Sequence, residues 1–316
     1  MNTPYFAKAM KDTQNSCLVP ADVPEKKRTL FIKNYTKITR NSGRLFLFSC
    51  DHKIEHLNEN FYGPHINTQA IHPEHLFRIA SQGNIGAMAT HLGLIARYAQ
   101  QYPSINYIAK LNGKTNLIPV EQQDPKTDLL WTVDDVVTMC HNNNKIMMTG
   151  VGITIYLGSE HEAEQLAQAA ATIAHAHSEG LVTIIWMYPR GKAIKDENDP
   201  QLIAGATGVA LSLGADFVKI KMPAATDIST AVQNLKIASA AAGNTKIICA
   251  GGEQIKPQEY LAQLYDQIHS GDSFGTATGR NIFQRSLAES IALTNAIAGI
   301  IYDNIDVKTS ISLLSS

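Results

Sequence analysis

From Leu45 the chain repeats one pattern: a short apolar run, a polar or glycine-rich turn, then a helix-like stretch. The apolar runs fall at 45–49, 85–89, 105–109, 146–153, 181–187, 217–220, 246–249 and 274–277. The clearest helical stretches lie at 160–178, 200–213, 228–242, 257–269 and 286–302. Strands alternating with helices predict a parallel sheet, because parallel neighbours need crossover connections. Eight such units predict a (β/α)8 TIM barrel, a fold of about 250 residues plus insertions. An open doubly wound sheet is the alternative. It wants Gly-x-Gly-x-x-Gly after its first strand, and none stands there. Residues 1–42 are polar and mixed, with Lys26-Lys27-Arg28, and read as an N-terminal extension adding one or two helices outside the barrel. Residues 43–303 form the barrel, and 304–316 a polar tail.

The run Gly214–Pro223 carries an unusual signal, two lysines inside a short strand. Alternation puts Phe217, Lys219 and Lys221 on one face and Val218 and Ile220 on the other. With the apolar pair under the helices, the lysines face inward. A buried ammonium must be paired or deprotonated, and a deprotonated lysine is the amine that forms Schiff bases with carbonyl compounds. The plain counterpart is an ion pair at a strand end.

In a barrel the chemistry sits at the C-terminal strand ends, and reactive residues cluster there. Strand one is followed by Asp51-His52-Lys53-Ile54-Glu55-His56, and strand two ends in Thr90-His91. Strand three ends in Lys110-Leu111-Asn112-Gly113, and strand five in Trp186-Met187-Tyr188-Pro189-Arg190-Gly191. Gly251-Gly252 and Gly279-Arg280 end strands seven and eight, the customary phosphate position of this fold. Trp186 and Tyr188 share a face, as core aromatics or with Tyr188 beside the lysine as an acid/base. Asp51 is placed to pair with an inward lysine or to orient a substrate hydroxyl. His52, Glu55 and His56 invite a divalent metal, yet no His-x3-His helix or second histidine cluster supports it; no metal is expected. His161, His175, His177 and His269 read as surface or packing residues.

Composition narrows the field without changing it. The 316 residues are 44% hydrophobic and 17% charged, with a formal net charge of -1. That gives no electrostatic reason for nucleic-acid or membrane partners. No apolar run reaches the ~18 residues of a membrane span. Cys17, Cys50, Cys140 and Cys249 are widely spaced and expected as free thiols, in a cytoplasmic protein.

The segments 51–56, 186–191, 216–221, 250–252 and 279–284 resemble the archaeal-type class I fructose-bisphosphate aldolases of the DeoC/LacD/DhnA group. The likeness runs from about Arg44 to Arg285 and includes 89–93 and 110–113. It implies a cofactor-free, Schiff-base aldolase of glycolysis and gluconeogenesis, acting on a sugar phosphate as a homo-oligomer. The Schiff-base lysine then falls on Lys219, with Lys221 its neighbour, and the proton-shuttling tyrosine on Tyr188 beside Trp186. The strand-one aspartate falls on Asp51 and the nearby histidine on His56, with Gly251, Gly252, Gly279 and Arg280 at a phosphate. Lys110 or Arg190 is placed to receive a second phosphate. Lys53, Ala250 and Met222-Pro223 depart from the family pattern and bear on the substrate. A transaldolase- or thiolase-like relative and a catalytically silent sugar-phosphate-binding barrel are the other readings.

Overall fold

The computed structural model describes residues 17–143 and 145–315. Eight parallel strands close into a barrel: β1 (Leu45–Ser49), β2 (Ala87–His91), β3 (Asn106–Lys110), β4 (Met147–Leu157), β5 (Val182–Pro189), β6 (Phe217–Ile220), β7 (Lys246–Ala250) and β8 (Gly275–Thr278). Each pairs with its sequence neighbours, and β8 closes on β1 from Leu45↔Gly275 to Phe48↔Thr278. Every apolar run of the sequence is a barrel strand.

Alternation divides the strands between two cores. Phe46, Phe48, Val218, Ile220, Ile247 and Cys249 point outward beneath the helices. Leu45, Leu47, Ala87, Ala89, Ile108, Ile184, Phe217 and Ile248 fill the barrel. Its largest filler is Trp186, 2% exposed. Strand β4 makes room for it, since a Cβ on Gly152 would lie 2.2 Å from the indole.

The helix Glu25–Thr39 closes the N-terminal end of the barrel. Its Phe31, Tyr35 and Ile38, spaced i, i+4, i+7, join the inner core, and Tyr35 stacks on Phe217 at 5.6 Å. This corrects the expectation of a helix on the outside: it is a plug. Full burial of Phe31 and Ile38 contributes roughly 2 kcal/mol each. Residues 1–16 of the extension lie outside the described residues.

A buried ion cluster ties the plug's leading segment down. His177, 0% exposed, holds Asp22 through Nδ1 at 2.9 Å and Asp216 through Nε2 at 3.2 Å. Asp216 also accepts from the Thr183 amide at 2.8 Å and its hydroxyl at 3.0 Å. Burial alone would lower the His177 pKa; Asp216 and Asp22 outweigh it and raise it.

The polar tail carries a helix, Val307–Ser312, capped by Asp306 on Thr309 N at 2.7 Å. Ile305, Ile311, Leu313 and Leu314 pack on the outer core. Among the described residues no helix is long and apolar enough to cross a membrane.

Candidate active site

Above the apolar fill, the inward positions turn polar: Ser49 on β1, His91 on β2, Lys110 on β3 and Lys219 on β6. A cavity of about 670 Å³ opens over this layer at the C-terminal strand ends. Asp51, His56, Trp186, Tyr188, Arg190, Lys219, Lys221, Gly251, Gly252 and Arg280 all line it, with His52 and Glu55. Gly279 and Lys110 are sequence-predicted residues that do not. Lys110 is buried beneath it, and a Cβ on Gly279 would sit 2.2 Å from Ser49 O.

At the floor, Lys219 is 6% exposed. Its Nζ donates to Ser49 Oγ at 3.0 Å, and Ser49 donates to Asp51 Oδ1 at 3.2 Å. The other Asp51 oxygen lies 4.0 Å from Lys110 Nζ. Both ammonium positions sit near the Trp186 ring, Lys110 at 5.3 Å and Lys219 at 5.6 Å from its centre. One carboxylate therefore serves two lysines.

The electrostatics follow. Burial pushes the Lys219 pKa down; Asp51 and Glu55 oppose this, and Lys110 and Arg280 reinforce it. The net direction is toward the free amine. Burial alone would raise the Asp51 carboxyl, but Lys219 and Lys110 hold it well below the usual carboxylate range. Burial lowers His52 to about 3, so its ring is neutral at physiological pH. Burial, then Glu55 and Asp51, raise the Tyr188 phenol, which therefore keeps its proton at physiological pH. Tyr188 stacks on Tyr156 at 6.4 Å, and Tyr156 donates to Glu55 Oε1 at 2.8 Å.

The rim carries two cationic positions, each joined to a loop carboxylate. Arg190 grips Glu197 with both arms, at 2.5 and 2.9 Å, and Lys221 reaches the same carboxylate at 2.5 Å. Across the cavity Arg280 pairs with Glu253.

Two expectations need revision. Lys110 is 2% exposed and donates to Asn112 O at 3.1 Å, so it supports Asp51 from below and does not stand at a phosphate. The Gly251 amide donates to Ala277 O at 3.1 Å, so it is not offered to an anion. Gly251 matters through close packing instead, because a Cβ there would lie 2.1 Å from Thr278 Oγ1. His52, Glu55 and His56 do not converge; among the described residues no three His, Cys, Asp or Glu side chains form a metal-ligand group.

Sequence reasoning missed Ser49 and Glu197. Counting by twos from Leu45 reaches Ser49 as the third inward position, a usable signal. Glu197 lies in the loop after β5, and no local pattern marks it.

A barrel whose floor holds a buried, free-amine-leaning lysine and whose rim holds two cationic positions defines a class: an amine-chemistry barrel for an anionic carbonyl compound. The comparisons agree. The DeoC/LacD family aldolase domain matches residues 45–285, and the chain belongs to this family. The fructose-bisphosphate aldolase/6-deoxy-5-ketofructose 1-phosphate synthase of Methanocaldococcus jannaschii is 46% identical over 295 residues, 93% of each chain. The solved fructose-bisphosphate aldolase of Slackia heliotrinireducens is 50% identical, with a TM-score of 0.92 over 96% of this chain and 95% of that one. An archaeal fructose-1,6-bisphosphate aldolase, solved with its catalytic lysine bound to the carbinolamine intermediate, is 27% identical. Its TM-score is 0.73 over 86% of this chain and 99% of that one.

Proposed function

We propose that this protein is a class I fructose-bisphosphate aldolase, reversibly cleaving fructose 1,6-bisphosphate to glycerone phosphate and glyceraldehyde 3-phosphate. The observation that carries the reading is Lys219, buried at the cavity floor and joined through Ser49 to Asp51. The free amine attacks the substrate ketone. Tyr188 gives its proton to the departing hydroxyl, which leaves as water, and the lysine becomes an iminium. The resulting phenolate takes the C4 hydroxyl proton as the C3–C4 bond breaks, with the iminium receiving the electrons. Tyr188 then returns the proton to the enamine carbon, and water releases glycerone phosphate. Asp51 stays ionised and offsets the iminium charge, with Trp186 lending its ring face. His56 contacts the substrate's hydroxyl-bearing middle. No cofactor enters, since the lysine is the electron sink.

Gly252 and Arg280 receive the phosphate nearer the ketone, and Arg190 with Lys221 the distal one. Binding energy at these remote ends sets the carbonyl against the amine. The protein is expected to work in the cytoplasm, in glycolysis or gluconeogenesis, as a homo-oligomer. Residues 43–303 are the proposed catalytic unit.

One observation favours a second activity on the same lysine. Glu197 already neutralises part of the Arg190–Lys221 position, which suits an acceptor lacking a distal phosphate. The enamine would then add to a different aldehyde, in keeping with the synthase name borne by the Methanocaldococcus relative.

Borohydride trapping with fructose 1,6-bisphosphate, followed by peptide mapping, tests the reading. An adduct on Lys219 is expected. An adduct confined to Lys221 would move the nucleophile to the next inward position. Turnover without any adduct would sink the Schiff-base mechanism.

A further inference from the structure

Among the described residues, Lys219 Nζ has one hydrogen bond, to Ser49 Oγ at 3.0 Å. Ser49 is 0% exposed, and its Oγ lies 3.2 Å from Asp51 Oδ1. An ionised carboxylate only accepts, so the Ser49 hydroxyl donates to Asp51, and its lone pair receives the lysine N–H. The hydroxyl thus stands between amine and carboxylate. The remaining Asp51 oxygen faces Lys110 at 4.0 Å.

We propose that Ser49 is a positioning residue, an uncharged spacer that keeps Lys219 and Asp51 from closing into a contact ion pair and turns the amine's lone pair toward the cavity. This rests on Lys219 being the imine-forming residue. A contact pair would favour the ammonium, which has no lone pair with which to attack. With the spacer, Asp51 remains close enough to stabilise the iminium once it forms, and the resting amine is not locked in its charged state. A hydrogen bond to one N–H also removes rotational freedom about the terminal carbon–nitrogen bond, leaving the lone pair in a defined direction.

The charged and titratable groups facing Lys219 are Asp51, His52 and Glu55 after β1, Lys110 on β3 and Arg280 after β8. Loss of the Ser49 hydroxyl brings Asp51 nearer and leaves the others in place. The effect therefore has one sign: Lys219 binds its proton more tightly.

The test is the rate of borohydride-trapped adduct on Lys219, with glycerone phosphate as probe, measured across pH for four proteins. In Ser49→Ala the acid limb should move up by about one pH unit, so trapping below the limb slows about tenfold. Ser49→Cys keeps the size but accepts poorly, and should move the limb the same way; it carries the test if the alanine variant does not fold. Ser49→Thr keeps the hydroxyl and should keep the wild-type limb. An unmoved limb in a folded Ala or Cys variant overturns the spacer, as does a Thr variant shifted as far as Ala. No Lys219 adduct in the wild type would instead overturn the lysine's assignment, which separates the two failures.

Discussion

At the N-terminal end of the barrel a buried histidine lies between two carboxylates; at the C-terminal end a buried carboxylate lies between two lysines. The lower cluster closes directly, with His177 at 2.9 Å from Asp22 and 3.2 Å from Asp216. The upper one is held open, with Asp51 at 4.0 Å from Lys110 and reaching Lys219 through a hydroxyl. Direct contact with two carboxylates outweighs burial and favours the charged form of His177. Burial, which one spaced anion shared by two lysines opposes only in part, drives the amines toward neutrality. The same strand alternation builds both ends, and contact distance decides which serves stability and which serves chemistry.

The sharpest way to break this comparison is to remove the lysine. Lys219→Met should lower kcat by on the order of 10⁴-fold or more, since it removes the covalent step. Its melting temperature should stay near the wild-type value, because Lys110 still faces the Asp51 carboxylate when the buried amine gives way to an apolar chain of similar length. Residual activity within tenfold of wild type would end the catalytic assignment. A collapsed melting temperature would show the upper cluster to be structural.

The opposite pattern belongs to the plug. Phe31→Ala should cost about 3–5 kcal/mol in chemical denaturation. The protein that remains folded should keep its kcat/KM, because the plug touches the far end of the barrel. A lowered kcat/KM at unchanged stability would show that the two ends are coupled.

His177→Gln should cost on the order of 3 kcal/mol at neutral pH, because it leaves buried Asp216 without its cation. The pH dependence fixes the sign. The folded-state His177 pKa is raised, so its contribution is fully present below the unfolded value of about 6.5 and is lost as pH rises through the folded value. Melting curves of variant and wild type should therefore converge at alkaline pH. Asp51 runs the other way: its pKa is depressed, so its contribution is present above the unfolded carboxyl value and fades in acid. Curves that stay parallel at all pH values would mean that His177 acts through packing alone.

Much of the catalytic end was legible in sequence because it is written in period two. Strands buried on both faces read as apolar runs, and the residues that break these runs at their C-terminal ends include Lys110 and Lys219, the two lysines facing Asp51. The plug was missed although Phe31, Tyr35 and Ile38 carry the helical spacing, because Lys26-Lys27-Arg28 and the other polar residues around them weakened the signal. Ser49 is a common residue whose meaning depends on Lys219, 170 positions away in sequence. Gly152 likewise reads as an ordinary position of the 146–153 strand until Trp186 is seen to need its space. Contacts across the barrel, not patterns along a strand, define both.

The smallest effect concerns the rim, where the site's cations are already partnered. Glu253 is 83% exposed and meets Arg280, itself 19% exposed, across the entrance to the proposed phosphate position. An arriving phosphate must compete with that carboxylate for one guanidinium. Exposed pairs are worth about 0.2–1 kcal/mol, so Glu253→Gln should tighten inhibition by inorganic phosphate only about two- to fivefold. The gain should shrink with added salt, which screens the exposed carboxylate more than an anion seated against Arg280. Glu197→Gln should act in the same direction and more strongly, since that carboxylate is half-buried and shared by Arg190 and Lys221. Weaker phosphate inhibition in Glu253→Gln would reverse the argument. Glu253 would then orient Arg280 for the ligand, and the rim would resemble the lower cluster, where direct pairing is structural.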